Sequence, residues 1–213
     1  MDEGHIGVDE SGKGDFFGPL VIAACYVGPE HLAELEGVKD SKKLTDPMAL
    51  KLSDQIKRVC PHAVVAIGPA KYNELYAKFK NLNTLLAWGH ARAIENVLEQ
   101  QPATKVISDE FAKGGHAVKR SLFEKGRSLE FISAVRAEQD IAVAAASVLA
   151  RAEFLRRLKR LGEEFGMTLP KGASTPVLDA GASFVRKFGA DKLVNVSKTH
   201  FKTFENVKQR AGV

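Results

Sequence analysis

Apolar and polar positions alternate along this chain in a way that predicts a mixed series of strands and helices. Two apolar runs, Ile6–Asp9 and Leu20–Val27, flank a glycine-rich polar stretch and read as strands joined in a hairpin. Asp40 to Lys43 reads as a loop. Pro47 to Val59 has the period of an amphipathic helix, with Leu50, Leu52 and Ile56 expected inward. Ala63–Ile67 is a short run of small and β-branched residues, expected as a strand. From Asn83 to Glu99, Leu85, Leu86, Ala93, Ile94 and Val97 recur at helical spacing, which predicts a long helix. Lys105-Val106-Ile107 is the next strand and delivers Asp109 at its C-terminal end. Leu129–Val135 is expected as a further strand, and Ile141 to Leu161 is the strongest helical segment. Its alanine-rich first half suits close packing, while Arg156, Arg157, Lys159 and Arg160 are expected to face solvent or a ligand. Pro176 to Gly189 again has helical periodicity.

This order of elements predicts an α/β fold. Alternating strands and helices leave open a doubly wound parallel sheet. The early hairpin argues against it, because a hairpin places antiparallel strands first. No internal repeat, low-complexity segment or clear linker interrupts the chain. One domain over 1–213, with a helical C-terminal portion from about 165 to 213, is the expected organisation.

Composition narrows the partners. The 213 residues are 45% apolar, enough for one sizeable core, and the net charge of +5 with pI near 9.1 favours an anionic partner. No stretch approaches the length of a membrane-spanning helix, and the acidic start Met1-Asp2-Glu3-Gly4-His5 is unlike a secretion signal. Cys25 in an apolar run and Cys60 before Pro61 suggest buried free thiols in a reducing compartment. The six histidines show no ligand spacing.

The chemistry concentrates in Val8-Asp9-Glu10-Ser11-Gly12-Lys13-Gly14-Asp15-Phe16-Phe17-Gly18-Pro19. Neighbouring side chains of a strand point to opposite faces, so Asp9 and Glu10 cannot both enter a core. A carboxylate pair at a strand end instead suits a hard divalent cation, which takes oxygen ligands and keeps water for a phosphate substrate. The turn Gly12-Lys13-Gly14 lets backbone N–H groups approach a sugar or phosphate beside one cationic side chain. A tight turn with solvated acids before it is the plainer alternative. Taken alone, Asp109 reads as a helix N-cap or turn aspartate.

The run Asp9-Glu10-Ser11-Gly12-Lys13-Gly14-Asp15-Phe16-Phe17-Gly18-Pro19-Leu20 resembles the signature of type 2 ribonucleases H, in the variant carried by ribonuclease HIII. Five further blocks extend the resemblance over nearly the whole chain: Asp40-Ser41-Lys42-Lys43-Leu44, Lys71-Tyr72-Asn73-Glu74-Leu75-Tyr76, Asn83 through Arg92, Ile107-Ser108-Asp109-Glu110-Phe111-Ala112, and Arg136-Ala137-Glu138 leading to Ala144-Ala145-Ala146-Ser147. The resemblance implies a ribonuclease H-like mixed five-stranded sheet flanked by helices. It also implies a cytoplasmic endonuclease that hydrolyses the RNA strand of RNA–DNA hybrids, leaving 5′-phosphate and 3′-hydroxyl ends; a monomer is expected. Two divalent ions, Mg2+ or Mn2+, would be held by Asp9, Glu10, Asp109 and Glu138, with carboxylates placing the ions roughly 4 Å apart. Asp140 is the alternative to Glu138, and either could simply charge a helix N-terminus. An enzyme of the ribonuclease HII type excising single ribonucleotides, a two-metal nuclease acting on branched or duplex DNA, and a non-catalytic nucleic-acid-binding module are the competing functions.

A hybrid-cleaving enzyme must sense the 2′-hydroxyl. By the resemblance, the backbone of Gly12, Lys13 and Gly14 does so, and Lys42 or Lys43 contacts a phosphate. Ser147 reaches a phosphate or is a small residue at a close helix contact. Lys198, His200 and Lys202 form a basic cluster that either tracks the duplex or is merely solvated. Tyr72, Tyr76 and Trp88 are expected in the core. Two departures stand out. The chain begins eight residues ahead of Asp9, so the N-terminal substrate-binding domain of ribonuclease HIII is expected to be absent. All three tyrosines, Tyr26, Tyr72 and Tyr76, lie in the first half, so the C-terminal tyrosine by which ribonuclease HII reads a junction is expected to be missing.

Overall fold

Five strands form one mixed sheet in the order β3-β2-β1-β4-β5 in a computed structural model that describes residues 4–38, 44–109, 115–122, 126–134 and 137–213. They are β1 (His5–Ser11), β2 (Leu20–Val27), β3 (His62–Ile67), β4 (Lys105–Asp109) and β5 (Glu130–Ala134). The hairpin is present: β1 and β2 pair antiparallel from His5 opposite Val27 to Ser11 opposite Val21. Beyond it the sheet turns parallel, with β4 pairing to β1 and β5 to β4. Every residue of β2 is buried, which is why it reads as an unbroken apolar run rather than an alternating one. The doubly wound alternative is excluded by the hairpin, and the mixed five-stranded sheet flanked by helices is the fold.

The helices are α1 (Asp46–Val59), α2 (Pro69–Phe79), α3 (Leu82–Leu98), α4 (Gly115–Ser121), α5 (Ile141–Glu164), α6 (Thr175–Phe188), α7 (Ala190–Leu193) and α8 (Lys202–Ala211). Thr45 starts α1 by accepting the Met48 N–H, and Asn81 starts α3 by accepting those of Asn83 and Thr84. In α1, Leu52 and Ile56 face inward as expected, but Ala49 and Ser53 complete the buried stripe and Leu50 is only half-buried. A rotation of the stripe by one residue is small in sequence and visible only once a neighbour exists. The apolar pattern did not mark α2 or α8 as separate helices, and Pro29–Leu35 forms a 3-10 helix that the pattern also hides. Among the described residues no helix is long and apolar enough to cross a membrane.

The chain divides into two compact units. One comprises residues 1–11, 21–65 and 81–153, and the other 12–20, 66–80 and 154–213. In the first, Gly7 permits the closest approach in the core: a Cβ there would collide with the backbone of Ala142 and Val143 at the start of α5. The alanines 142 and 144–146 are fully buried, so the alanine-rich face does pack closely. Gly89 plays the same part where α3 crosses β2, since its Cβ would lie 2.7 Å from Ile22 Cδ1. Cys25 and Cys60 are buried free thiols. In the second unit α6 packs on α8 through Gly181, whose missing Cβ makes room for Val207. Phe165, Phe184 and Phe188 form an aromatic cluster there, with ring centroids 4.9 to 5.3 Å apart.

Candidate active site

In the first unit, Val8 and Ser108 are in register across the parallel pair β1 and β4. The next residue on each strand is Asp9 or Asp109, so two carboxylates leave the same sheet edge side by side. Burial pushes the Asp9 carboxyl up to about 7, helped by the negative charge of Glu10 and, more weakly, of Asp109; the Ser147 hydroxyl and the Glu10 N–H, both donating to Asp9, oppose the rise. Like charges held this close are the repulsion that a divalent cation relieves. The all-oxygen donor set also matches Mg2+ or Mn2+ rather than a softer metal.

Asp109 Oδ1 accepts the N–H of Ala137 at 3.1 Å. That bond ties the end of β4 to the 3-10 turn Ala137–Gln139, which carries Glu138. The Glu138 side chain lies outside the described residues, as do Glu110, Lys42 and Lys43. Among the described residues no three acidic, imidazole or thiol groups already stand in a metal-holding arrangement. Asp140 has other work. Its Oδ1 accepts the N–H groups of Ala142 and Val143 at 3.0 and 3.1 Å, capping α5, and its Oδ2 meets His5 Nε2 at 2.7 Å. Those partners hold its carboxyl below the usual range against the opposing effect of burial.

Glu10 is oriented by a residue that spacing did not single out. His90, fully buried on α3, stands with Nε2 3.0 Å from Glu10 Oε2. The available signal was a histidine four residues after Leu86 and four before Ile94, on the apolar face of a helix. A polar ring at such a position asks for a buried partner. Ser147 sits on α5 with its hydroxyl on Asp9, an arrangement neither of its two readings contained.

The glycine turn belongs to the second unit. Gly12 has φ +88°, and a Cβ there would strike the Pro19 carbonyl oxygen, so only glycine fits. Gly14 is exposed and has no atom within 4 Å of where a Cβ would stand, so a ligand can come up against its backbone. Lys13 is half-buried. The expected basic cluster is not one surface: Lys198 is fully buried, its Nζ donating to the carbonyls of Asp15 and Gly18 at 2.7 and 2.9 Å. His200 stacks on Tyr76 with centroids 4.1 Å apart, and burial together with the Lys198 charge lowers its pKa; only Lys202 is exposed. Tyr72 is fully buried, whereas Tyr76 and Trp88 are half-buried.

The chain is similar to known proteins over nearly its whole length. The family model for ribonuclease HII matches residues 6–204. The chain is 47% identical over 210 residues to the ribonuclease HIII of Protochlamydia amoebophila (strain UWE25), a match covering 98% of this chain and 69% of that protein. It is 47% identical over 208 residues to the ribonuclease HIII of Chlamydia pneumoniae, covering 95% and 70%. The crystal structure of Bst-RNase HIII in complex with Mn2+ superposes with a TM-score of 0.90 at 34% identity, covering 98% of this chain and 70% of that one. The ribonuclease H2 of Pyrococcus horikoshii OT3 shares the fold, with a TM-score of 0.80 at 22% identity over 98% of this chain and 99% of that one.

Proposed function

The chain belongs to the ribonuclease HII family, on its ribonuclease HIII branch, and from that premise we propose how this endonuclease cuts the RNA strand of RNA–DNA hybrids. Asp9, Glu10, Asp109 and Glu138 would hold two divalent ions, Mg2+ or Mn2+. When bound, these would supply Lewis acidity at the scissile phosphate, for hydrolysis that leaves 5′-phosphate and 3′-hydroxyl ends. The observation that carries the reading is that Asp9 and Asp109 each follow the last parallel pair, Val8 and Ser108, with the Asp9 carboxyl raised to about 7 by burial and by its acidic neighbours.

Further residues orient these carboxylates or contact the substrate. His90 orients Glu10, and the Ser147 hydroxyl orients Asp9. Asp109 holds the backbone of the turn that carries Glu138. The backbone of Gly12, Lys13 and Gly14 meets the 2′-hydroxyls and phosphates of the RNA strand, and the openness at Gly14 supports this role. Lys42 or Lys43 supplies a phosphate contact. The Mn2+ in the complex of Bst-RNase HIII supports a divalent ion as the cofactor. We place the enzyme in the cytoplasm as a monomer.

The test is cleavage of 5′-labelled duplexes with Mg2+ or Mn2+: a continuous RNA strand on DNA, a single ribonucleotide in DNA, duplex RNA and duplex DNA. The continuous hybrid should be cut and the single ribonucleotide should be a poor substrate. Equal cleavage of those two would assign the chain a ribonuclease HII-type specificity. Cleavage of duplex DNA alone would make it a nuclease of other substrates, and binding without cleavage under either metal a non-catalytic module.

A further inference from the structure

In the second unit, the exit of the glycine turn is braced from one side by the segment 194–199. The turn closes with the Asp15 N–H donating to the Gly12 carbonyl at 3.3 Å. Lys198 grips the backbone on from there. Its Nζ donates to the carbonyls of Asp15 and Gly18, and its backbone N–H donates to the Phe16 carbonyl at 2.9 Å. Gly18 returns a bond, its N–H donating to the Val196 carbonyl at 3.0 Å, and Phe17 bridges Ser197. The bracing segment is itself fixed by Asn73 on α2. The Asn73 amide donates to the carbonyls of Val194 and Ser197 at 3.0 and 2.9 Å, and its Oδ1 accepts the N–H and hydroxyl of Thr199 at 3.0 and 3.2 Å.

A buried ammonium is an expensive way to satisfy two carbonyls, since desolvating a charge costs more than desolvating a neutral donor. Burial pushes the Lys198 ammonium down to about 7, with the Asp15 carboxylate opposing. The Tyr72 ring, its centroid 5.6 Å from Nζ, returns part of that cost. What the lysine adds is reach: one side chain holds the backbone on both sides of Phe16-Phe17. Without it the Asp15 and Gly18 carbonyls would lose a donor together, leaving the stretch after the turn to the bonds of Phe16 and the Asp15 carboxylate with Gly172, of Phe16 with the Lys198 N–H, and of Gly18 with Val196.

We propose that Lys198 is a positioning residue for hybrid binding, holding the Gly12–Gly14 turn, through the Asp15 and Gly18 carbonyls, in the conformation that meets the RNA strand. The proposal rests on the reading of that turn as the substrate contact, so the experiment tests both separately. Kinetics on a continuous hybrid, Mn2+ calorimetry and thermal melting are measured for Lys198→Met, Lys198→Gln and Gly14→Ala. Lys198→Met should raise KM about tenfold or more, a loss of the size expected when a gripped binding element is set free. Its kcat and Mn2+ affinity should stay within about threefold of the unmodified enzyme, a split that loss of the fold does not produce. Lys198→Gln, which keeps one neutral donor, should recover part of the KM. Gly14→Ala fits the free protein, so a raised KM there reports the substrate contact itself. If Gly14→Ala raises KM and Lys198→Met does not, the proposal is overturned and the turn reading stands. If Gly14→Ala has no effect, the turn reading fails and takes the proposal with it. Unfolding of both lysine variants, or equal loss of kcat and Mn2+ affinity, would make Lys198 a residue of the fold alone and overturn the proposal.

Discussion

His90 Nε2 stands 3.0 Å from Glu10 Oε2, with the imidazole fully buried and the carboxylate 10% exposed. The ring nitrogen donates to the carboxylate and fixes which way Glu10 points. Groups that orient a metal-binding carboxylate typically carry about 10- to 100-fold in metal affinity or activity. His90→Ala should therefore raise the Mg2+ concentration for half-maximal cleavage by a factor in that range and leave the maximal rate closer to normal. Unchanged metal dependence would detach His90 from the site.

Asp9→Asn and Asp109→Asn should each lower turnover by orders of magnitude, because an amide is a poorer ligand for a hard cation. Hybrid binding should survive or improve, since a negative charge facing phosphate has gone. Gel-shift titration beside single-turnover cleavage checks both parts. Near-normal turnover would remove that residue from the metal site.

Burial, with the negative charge of Glu10, pushes the Asp9 carboxyl from 3.8 up to about 7. A folded-state pKa raised this way stabilises the fold fully below the unfolded value, and the contribution is lost as pH rises through the folded one. The metal-free protein should thus lose stability between about pH 4 and pH 7, by up to about 4 kcal/mol from this group. Mg2+ should abolish the loss, and Asp9→Asn should lack it. Melting curves with and without chelator give the answer; a difference between the two proteins that is flat with pH would show Asp9 freely solvated.

Glu138→Gln and Asp140→Asn separate the two candidates for the fourth carboxylate. Asp140 caps α5 and pairs with His5, so its loss should cost about 1 kcal/mol of stability with turnover at saturating metal nearly intact. Its depressed pKa works in the opposite sense to that of Asp9: its contribution is present above 3.8 and is lost as pH falls through the lower folded value. Glu138→Gln should instead abolish turnover with little change in melting. The reverse pattern would move the metal ligand to Asp140.

Periodicity and turn chemistry were enough to mark all five strands and helices α1, α3, α5 and α6, because each buries a run or stripe whose spacing is a property of the chain itself. The hairpin was legible for the same reason, from two apolar runs about one glycine turn. Asp9, Glu10 and Asp109 were legible as acids following apolar strand runs, although β1 continues through Asp9 and Glu10 to Ser11, and the resemblance to type 2 ribonucleases H joined them. Which neighbours they meet was decided only by tertiary structure. The parallel register of β1 on β4 brings Asp9 beside Asp109, and no local pattern encodes a pairing between residues one hundred positions apart. His90 and Ser147 looked like residues of helix faces until the sheet edge gave them carboxylates to hold. Lys198 looked like part of a basic surface, and the fold turned it inward onto the Asp15 and Gly18 carbonyls. In each case the partner is remote in sequence, so a side chain's type was readable from the chain and its role came from what the fold set opposite it.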